Sequence, residues 1–262
     1  MVQALSVAPA ATTTLQEFIL AAHFRAPLPL GVMDLANWVS SFPDFPLHQE
    51  LPPLTTANMP AIGAPEMPAI EFGMGTMLPR MLLRSHDGRY TLQLQNDRLA
   101  FGWSRIEPIG VAAEYPGFET MLAQWTEMRS RVEDWVEGRF RARPLYRLVE
   151  VNYLNAAPLE VGGKQRRISE ILRFGPPAGR LVHGFNVQWG ERVYQDPEGE
   201  PPRGIVRAAV GLAQAPPAIP VLTFNFSGMA AVADGQESNH IINDLHAKIR
   251  EIYQSAMISD AH

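Results

Sequence analysis

The side chains best suited to acid, base or ligand chemistry are the seven histidines and the carboxylates Asp34, Glu71, Glu150 and Glu160. No His-Glu-x-x-His or comparable ligand spacing occurs, and His240 and His246 stand six apart in a helical segment, on different faces. His246 borders an apolar stripe, which points to donation into a carbonyl or carboxylate across the sheet rather than metal binding. The four carboxylates cannot be paired in space from their positions, so no general acid and base emerge. Gly-x-Ser-x-Gly elbows and dinucleotide fingerprints are absent, and Gly162-Gly163-Lys164 lacks the spacing of a phosphate loop and reads as a turn. Catalytic, metal and cofactor sites are therefore assigned to no residue.

Cations offer more. Arg139, Arg141, Arg143 and Arg147 form one cluster, and Lys164, Arg166 and Arg167 a second. Such clusters cover a helix C-terminus or form a solvated face, or else converge on phosphate or an acidic partner. Arg139, Arg141, Arg143, Lys164, Arg166 and Arg167 are the candidate partner or phosphate surface, and that reading requires them to share one open face. Eleven methionines, among them Met59, Met67, Met74, Met77 and Met81, supply adaptable apolar surface.

The elements that must position these groups alternate in type. Leu15 to Leu28 reads as a strand, with Phe18, Leu20, Ala22 and Phe24 on its buried side. Val32, Leu35, Trp38 and Val39 predict a short helix stopped by Ser41-Phe42-Pro43. Eight prolines fall between Pro43 and Pro79. That segment reads as a long loop without regular period, too apolar for a free linker and the place where a partner would dock. Arg80 to Ser104 predicts a meander through turns at His86-Asp87-Gly88-Arg89 and Asn96-Asp97. Phe118, Met121, Leu122, Trp125, Met128, Val132, Trp135 and Val136 form one helical stripe, with Gly138 near its end.

The second half repeats the order. Leu145 to Leu154 reads as a strand, Arg167 to Phe174 as a short helix stopped by Gly175-Pro176-Pro177, and Leu181 to Trp189, Ile205 to Ala213 and Val221 to Phe226 as strands. A terminal helix carries Ile242, Leu245, Ile249, Ile252, Ala256 and Met257, with Ser238 and Asn239 as caps. The expected fold is α+β. It has an antiparallel sheet carrying two long amphipathic helices on one side and pseudo-duplicated halves of a saddle-like or helix-grip-like kind. A lead-in at residues 1–14 would precede halves at 15–142 and 143–262, packed as one unit.

Several phrases in order along the chain resemble a sporadically distributed family of uncharacterised bacterial proteins of about this length. They are Phe42-Pro43-Asp44-Phe45-Pro46, Leu92-Gln93-Leu94-Gln95 with Asp97-Arg98 and Gly102-Trp103, Glu114-Tyr115-Pro116-Gly117-Phe118-Glu119, Val151-Asn152-Tyr153-Leu154-Asn155 and Asp244-Leu245-His246. The family tends to have Asn where Gly102 stands and Arg where Asn152 stands. The resemblance implies a fold and no established activity.

With 262 residues, 46% hydrophobic and 19% charged, the chain can bury a sizeable core. A net charge of −5 excludes a surface built throughout for nucleic acid. Zero cysteines exclude disulfides, thiolate zinc sites and cysteine nucleophiles. Absence of a charged leader or a long apolar run predicts a soluble, cytoplasmic protein without membrane attachment. The functional expectation is a non-enzymatic binding or protein-interaction component, with a protein partner or homo-oligomer. Nucleic-acid binding through the arginine clusters is the alternative, and an enzyme without a recognisable motif the third reading.

Overall fold

A computed structural model describes residues 14–54, 78–108, 113–161, 163–174, 185–193, 203–215, 219–233 and 237–258. Most of the proline-rich segment, with Met59, Met67, Met74 and Met77, lies outside these residues. So do nearly all of the lead-in, Gly162, Gly175-Pro176-Pro177 and the first part of the strand expected from Leu181.

The fold is α+β, with one nine-stranded sheet antiparallel throughout. In chain order the elements begin with β1 (Thr14–Phe24), α1 (Val32–Ser40), β2 (Leu47–Leu51), β3 (Arg80–Arg84), β4 (Tyr90–Gln95), β5 (Arg98–Ser104) and α2 (Phe118–Phe140). They continue with β6 (Tyr146–Pro158), the two-residue ribbon β7 (Glu160–Val161) and β8 (Lys164–Gln165), and a 3-10 turn at Ile168–Glu170. The chain then adds β9 (Asn186–Val193), β10 (Gly204–Ala215), β11 (Ile219–Ala231) and α3 (Ser238–Ala256). Across the sheet the strands lie β2-β3-β4-β5-β1-β6-β11-β10-β9. Each half therefore fans outward from its own first strand, and the two first strands, β1 and β6, pair at the centre.

One face of this sheet is the core. Phe18, Leu20, Ala22 and Phe24 of β1 line up with Trp103, Phe101 and Leu99 of β5 and with Val151 and Val149 of β6. Phe224, Phe226 and Ala230 of β11 extend the layer. Alternation along each strand puts all of these on the side that both long helices cover. Helix α2 buries Met121, Trp125, Met128, Val132 and Val136, while α3 buries Ile241, Ile242, Leu245, Ile249, Ile252 and Ala256. Gly228 admits α3 closely, since a Cβ there would stand 3.2 Å from the Cβ and a Cδ of Leu245.

The helices run antiparallel side by side. Phe118 of α2 stacks on His246 of α3 at 3.7 Å, and farther along Asn239 Nδ2 donates to Thr126 Oγ1 at 3.0 Å. Arg129 reaches Ser238 and Asn239, so those two residues bond to α2 instead of capping α3, whose N-cap is Glu237. Helix α2 also runs past Gly138 and ends at Arg141, the described non-glycine residue in the left-handed region, at φ 60°. The continuation is explained by contacts on both sides of Gly138: Trp135 packs edge-on to Phe140, and Arg139 pairs with Asp34 of α1.

Candidate functional site

The opposite face of the sheet holds the polar side chains, and strand register sorts them into rows. Arg98 of β5 faces Gln95 of β4 on one side and His23 of β1 on the other, with Arg80 at the near end of β3. The next row runs Leu82, Gln93, Ala100, Ala21, Glu150 and Met229. After it come Arg84, Thr91, Gly102, Ile19, Asn152, Ser227, Arg207 and Gly190.

Glu150 is the hub. It is 7% exposed and receives His23 Nε2 at 2.7 Å, Arg98 Nη2 at 2.7 Å and Asn152 Nδ2 at 3.4 Å. Burial alone would raise its pKa, but the His23 hydrogen bond and the Arg98 charge outweigh that and hold the carboxyl below its ordinary value. A histidine beside a carboxylate has the outline of a general-base pair. His23 is 1% exposed, however, and its Nδ1 is buried without a hydrogen-bond partner, so no substrate atom reaches it. Small neighbours, Ala21 and Ala100, let these long side chains lie flat against the sheet.

Beside the hub, Gln95 holds the backbone of Leu54. Its Oε1 accepts from Leu54 N at 2.8 Å and its Nε2 donates to Leu54 O at 2.8 Å. A side-chain amide thereby supplies the donor and acceptor that a neighbouring strand would offer. The same amide nitrogen also donates to Asp97 Oδ1 at 2.9 Å. On the other half of this face, over β6, β11, β10 and β9, the surface is accessible: Asn225 and Gln188 are exposed, and Asn152, Ser227, Ala209 and Gly211 are partly so.

Neither a protein-family model nor a curated protein matches the chain.

The arginines singled out from sequence do not come together. Arg139 Nε donates to Asp34 Oδ1 at 2.6 Å, and Arg143 Nη2 to Glu133 Oε2 at 2.9 Å, while Arg141 caps α2. Lys164 sits in β8, and Arg166 and Arg167 follow it. The whole of β6 separates the two groups, roughly 40 Å of extended chain. Gly102 and Asn152 both lie beside Ile19 on the polar face. A Cβ at Gly102 would stand 3.0 Å from the carbonyl oxygen of Phe18 and 3.2 Å from Ile19 Cγ1, so Ile19 occupies the space a side chain there would need.

His246 bonds to a phenol rather than to a carbonyl or carboxylate: its Nδ1 lies 2.7 Å from Tyr153 Oη. Burial, followed by the charge of Arg250, lowers the imidazole pKa, and burial raises that of Tyr153. The ring stacks on Phe118 and bonds to the Tyr153 hydroxyl, which makes it part of the helix-sheet junction. The His23–Glu150–Arg98 hub had no sequence signature, because its members are up to 127 residues apart and meet only through the β1–β6 and β1–β5 pairings. Among the described residues, no group of three or more His, Asp or Glu side chains is placed to hold a metal, and no helix is long and apolar enough to cross a membrane.

Proposed function

We propose that the chain is a non-enzymatic binding component that receives an extended stretch of a partner protein across the accessible half of its polar sheet face. The observation that carries this reading is the two-point hold of Gln95 on the backbone of Leu54, by which this face already retains a passing stretch of backbone through a side-chain amide. Asn225 and Gln188 offer the same chemical group on the half that nothing among the described residues covers. Recognition through backbone groups, with small residues such as Ala209 and Gly211 leaving room, is the chemistry of strand addition transferred from a sheet edge to a sheet face. Catalysis has less support, since His23 and Glu150, the histidine–carboxylate pair of this face, are bonded to each other and buried.

Nucleic-acid binding also has less support. Two of the six candidate cations are neutralised by Asp34 and Glu133, and the clusters are separated by a full strand.

The test places a photo-crosslinking residue at Asn225, at Gln188 or, on the exposed side of α2, at Glu127. Cross-linked partner peptides from the first two positions and none from the third are expected, together with loss of the complex in an Asn225→Arg/Gln188→Arg variant. Equal labelling from Glu127, or a complex unaffected by that variant, overturns the proposal.

A further inference from the structure

We propose that His246 is a pH-sensitive latch, which holds the start of α2 against α3 while its imidazole is neutral and releases it when the ring takes up a proton. This inference concerns the helix-covered face of the sheet and is independent of the partner-segment reading.

The two long helices are joined at two places that differ in chemistry. Toward the middle of α2, Asn239 Nδ2 donates to Thr126 Oγ1 at 3.0 Å and Arg129 reaches Ser238 and Asn239, contacts without a group that titrates near neutral pH. At the start of α2 the contact is His246 itself, stacked on Phe118 at 3.7 Å with its Nδ1 2.7 Å from Tyr153 Oη. The N-cap there is Gly117, at φ 89° and with no side chain to cap the helix. Phe118, the first residue of the helix, is therefore held through its ring, by His246 and, edge-on at 6.2 Å, by Phe18.

A charge on the half-buried His246 ring is disfavoured. Burial is the largest influence that lowers its pKa, followed by the charge of Arg250 on the same helix, while Glu119 of α2 pulls the other way and is outweighed. The facing phenols, Tyr153 from β6 and Tyr115 from the segment ahead of α2, keep their protons because burial pushes their pKa values up. Tyr153 thus donates and Nδ1 accepts, a bond that needs the neutral imidazole. An imidazolium would also stand against the positive end of α2. Because the folded value lies below the ordinary imidazole value of 6.5, the latch is whole above that pH and is lost as pH falls below it toward the folded value. Lifting the first turn of α2 uncovers the ring of Phe18 beneath Phe118.

The test is amide hydrogen exchange of the full chain between about pH 7.5 and about pH 5.5, read as protection relative to the intrinsic rate at each pH. The probe is the amide of Met121, which bonds to Gly117 O at 3.1 Å, and the amides from Met128 to Val132 are the control. Protection at Met121 is expected to fall roughly tenfold across that range while the control amides keep theirs. His246→Gln, whose amide oxygen still accepts from Tyr153 but cannot gain a charge, is expected to abolish the fall. Unchanged protection at Met121, an equal loss at the control amides, or a fall that persists in His246→Gln overturns the proposal. Should His246→Gln fail to fold, Arg250→Gln at low ionic strength decides. Removing that cation is expected to raise the pH at which protection is lost, and an unmoved or lowered midpoint overturns the proposal.

Discussion

Replacing Glu150 with glutamine keeps the shape of the hub and removes its negative charge. Arg98, whose side chain is 15% exposed, then loses the acid 2.7 Å from its Nη2, and His23 loses a charged partner at the same distance. Breaking a buried ion pair from one side costs about 3 to 5 kcal/mol. The glutamine oxygen still accepts one hydrogen bond and Arg98 keeps some water, so a loss near the bottom of that range, about 3 kcal/mol, is expected. In a chain of this size the melting temperature should fall by roughly 6 to 12 °C. Urea unfolding with an unchanged slope is the primary assay.

The pH dependence gives the sign. The Glu150 carboxyl is held below its ordinary value of 4.5 in the folded chain, so its stabilisation is complete above that value and is lost as pH falls through the folded value. The difference between wild type and Glu150→Gln should therefore narrow in acid. Adding Arg98→Met to the variant should restore part of the loss, because it removes the stranded charge. A cost below about 1 kcal/mol, or a difference that narrows as pH rises, refutes the ion-hub reasoning.

Two further outcomes test the frame. Trp125→Ala removes a fully buried indole from the stripe of α2 and should cost about 3 to 5 kcal/mol in denaturant unfolding; less than about 1 kcal/mol would place the stripe outside the core. Arg141→Gly should raise stability by roughly 0.5 to 1 kcal/mol by relieving the left-handed backbone at the end of α2, and a fall would show that the arginine side chain holds the cap.

Where one face of an element is buried and the other wet, sequence pattern and structure agree. The stripes of α2 and α3 and the alternation of β4 and β5 placed those elements to within a few residues, and the repeated order of the halves reappears in the strand sequence around β1 and β6. Strand β2 was hidden in the proline-rich segment, because Leu47–Leu51 is an edge strand whose residues are exposed or only partly buried and carries no alternation. The helix expected from Arg167 to Phe174 shrank to a 3-10 turn at Ile168–Glu170, after which Leu172 bridges to Met257. β1 was expected to bury one face only, yet Ala21 and His23 are buried on the other as well. That second burial comes from partners that the fold brings in from distant positions, and for this reason the Glu150 hub could not be assembled from spacing.

The pairing of β1 with β6 also has a consequence for how the protein is made. Residues 14–104 contain everything β1 needs on its outer side, through β5, but its inner edge stays open until Pro158 has been synthesised. The interval from Ser104 to Pro158 is 54 residues, or roughly 3 to 11 seconds of translation at ordinary rates. Throughout it a nascent chain that has already formed its first meander displays a bare strand edge beside Phe18 and Leu20. Closure of that seam is a long-range event that sets folding apart from the fast local meander, and it makes the half-finished chain the state in which self-association competes with folding.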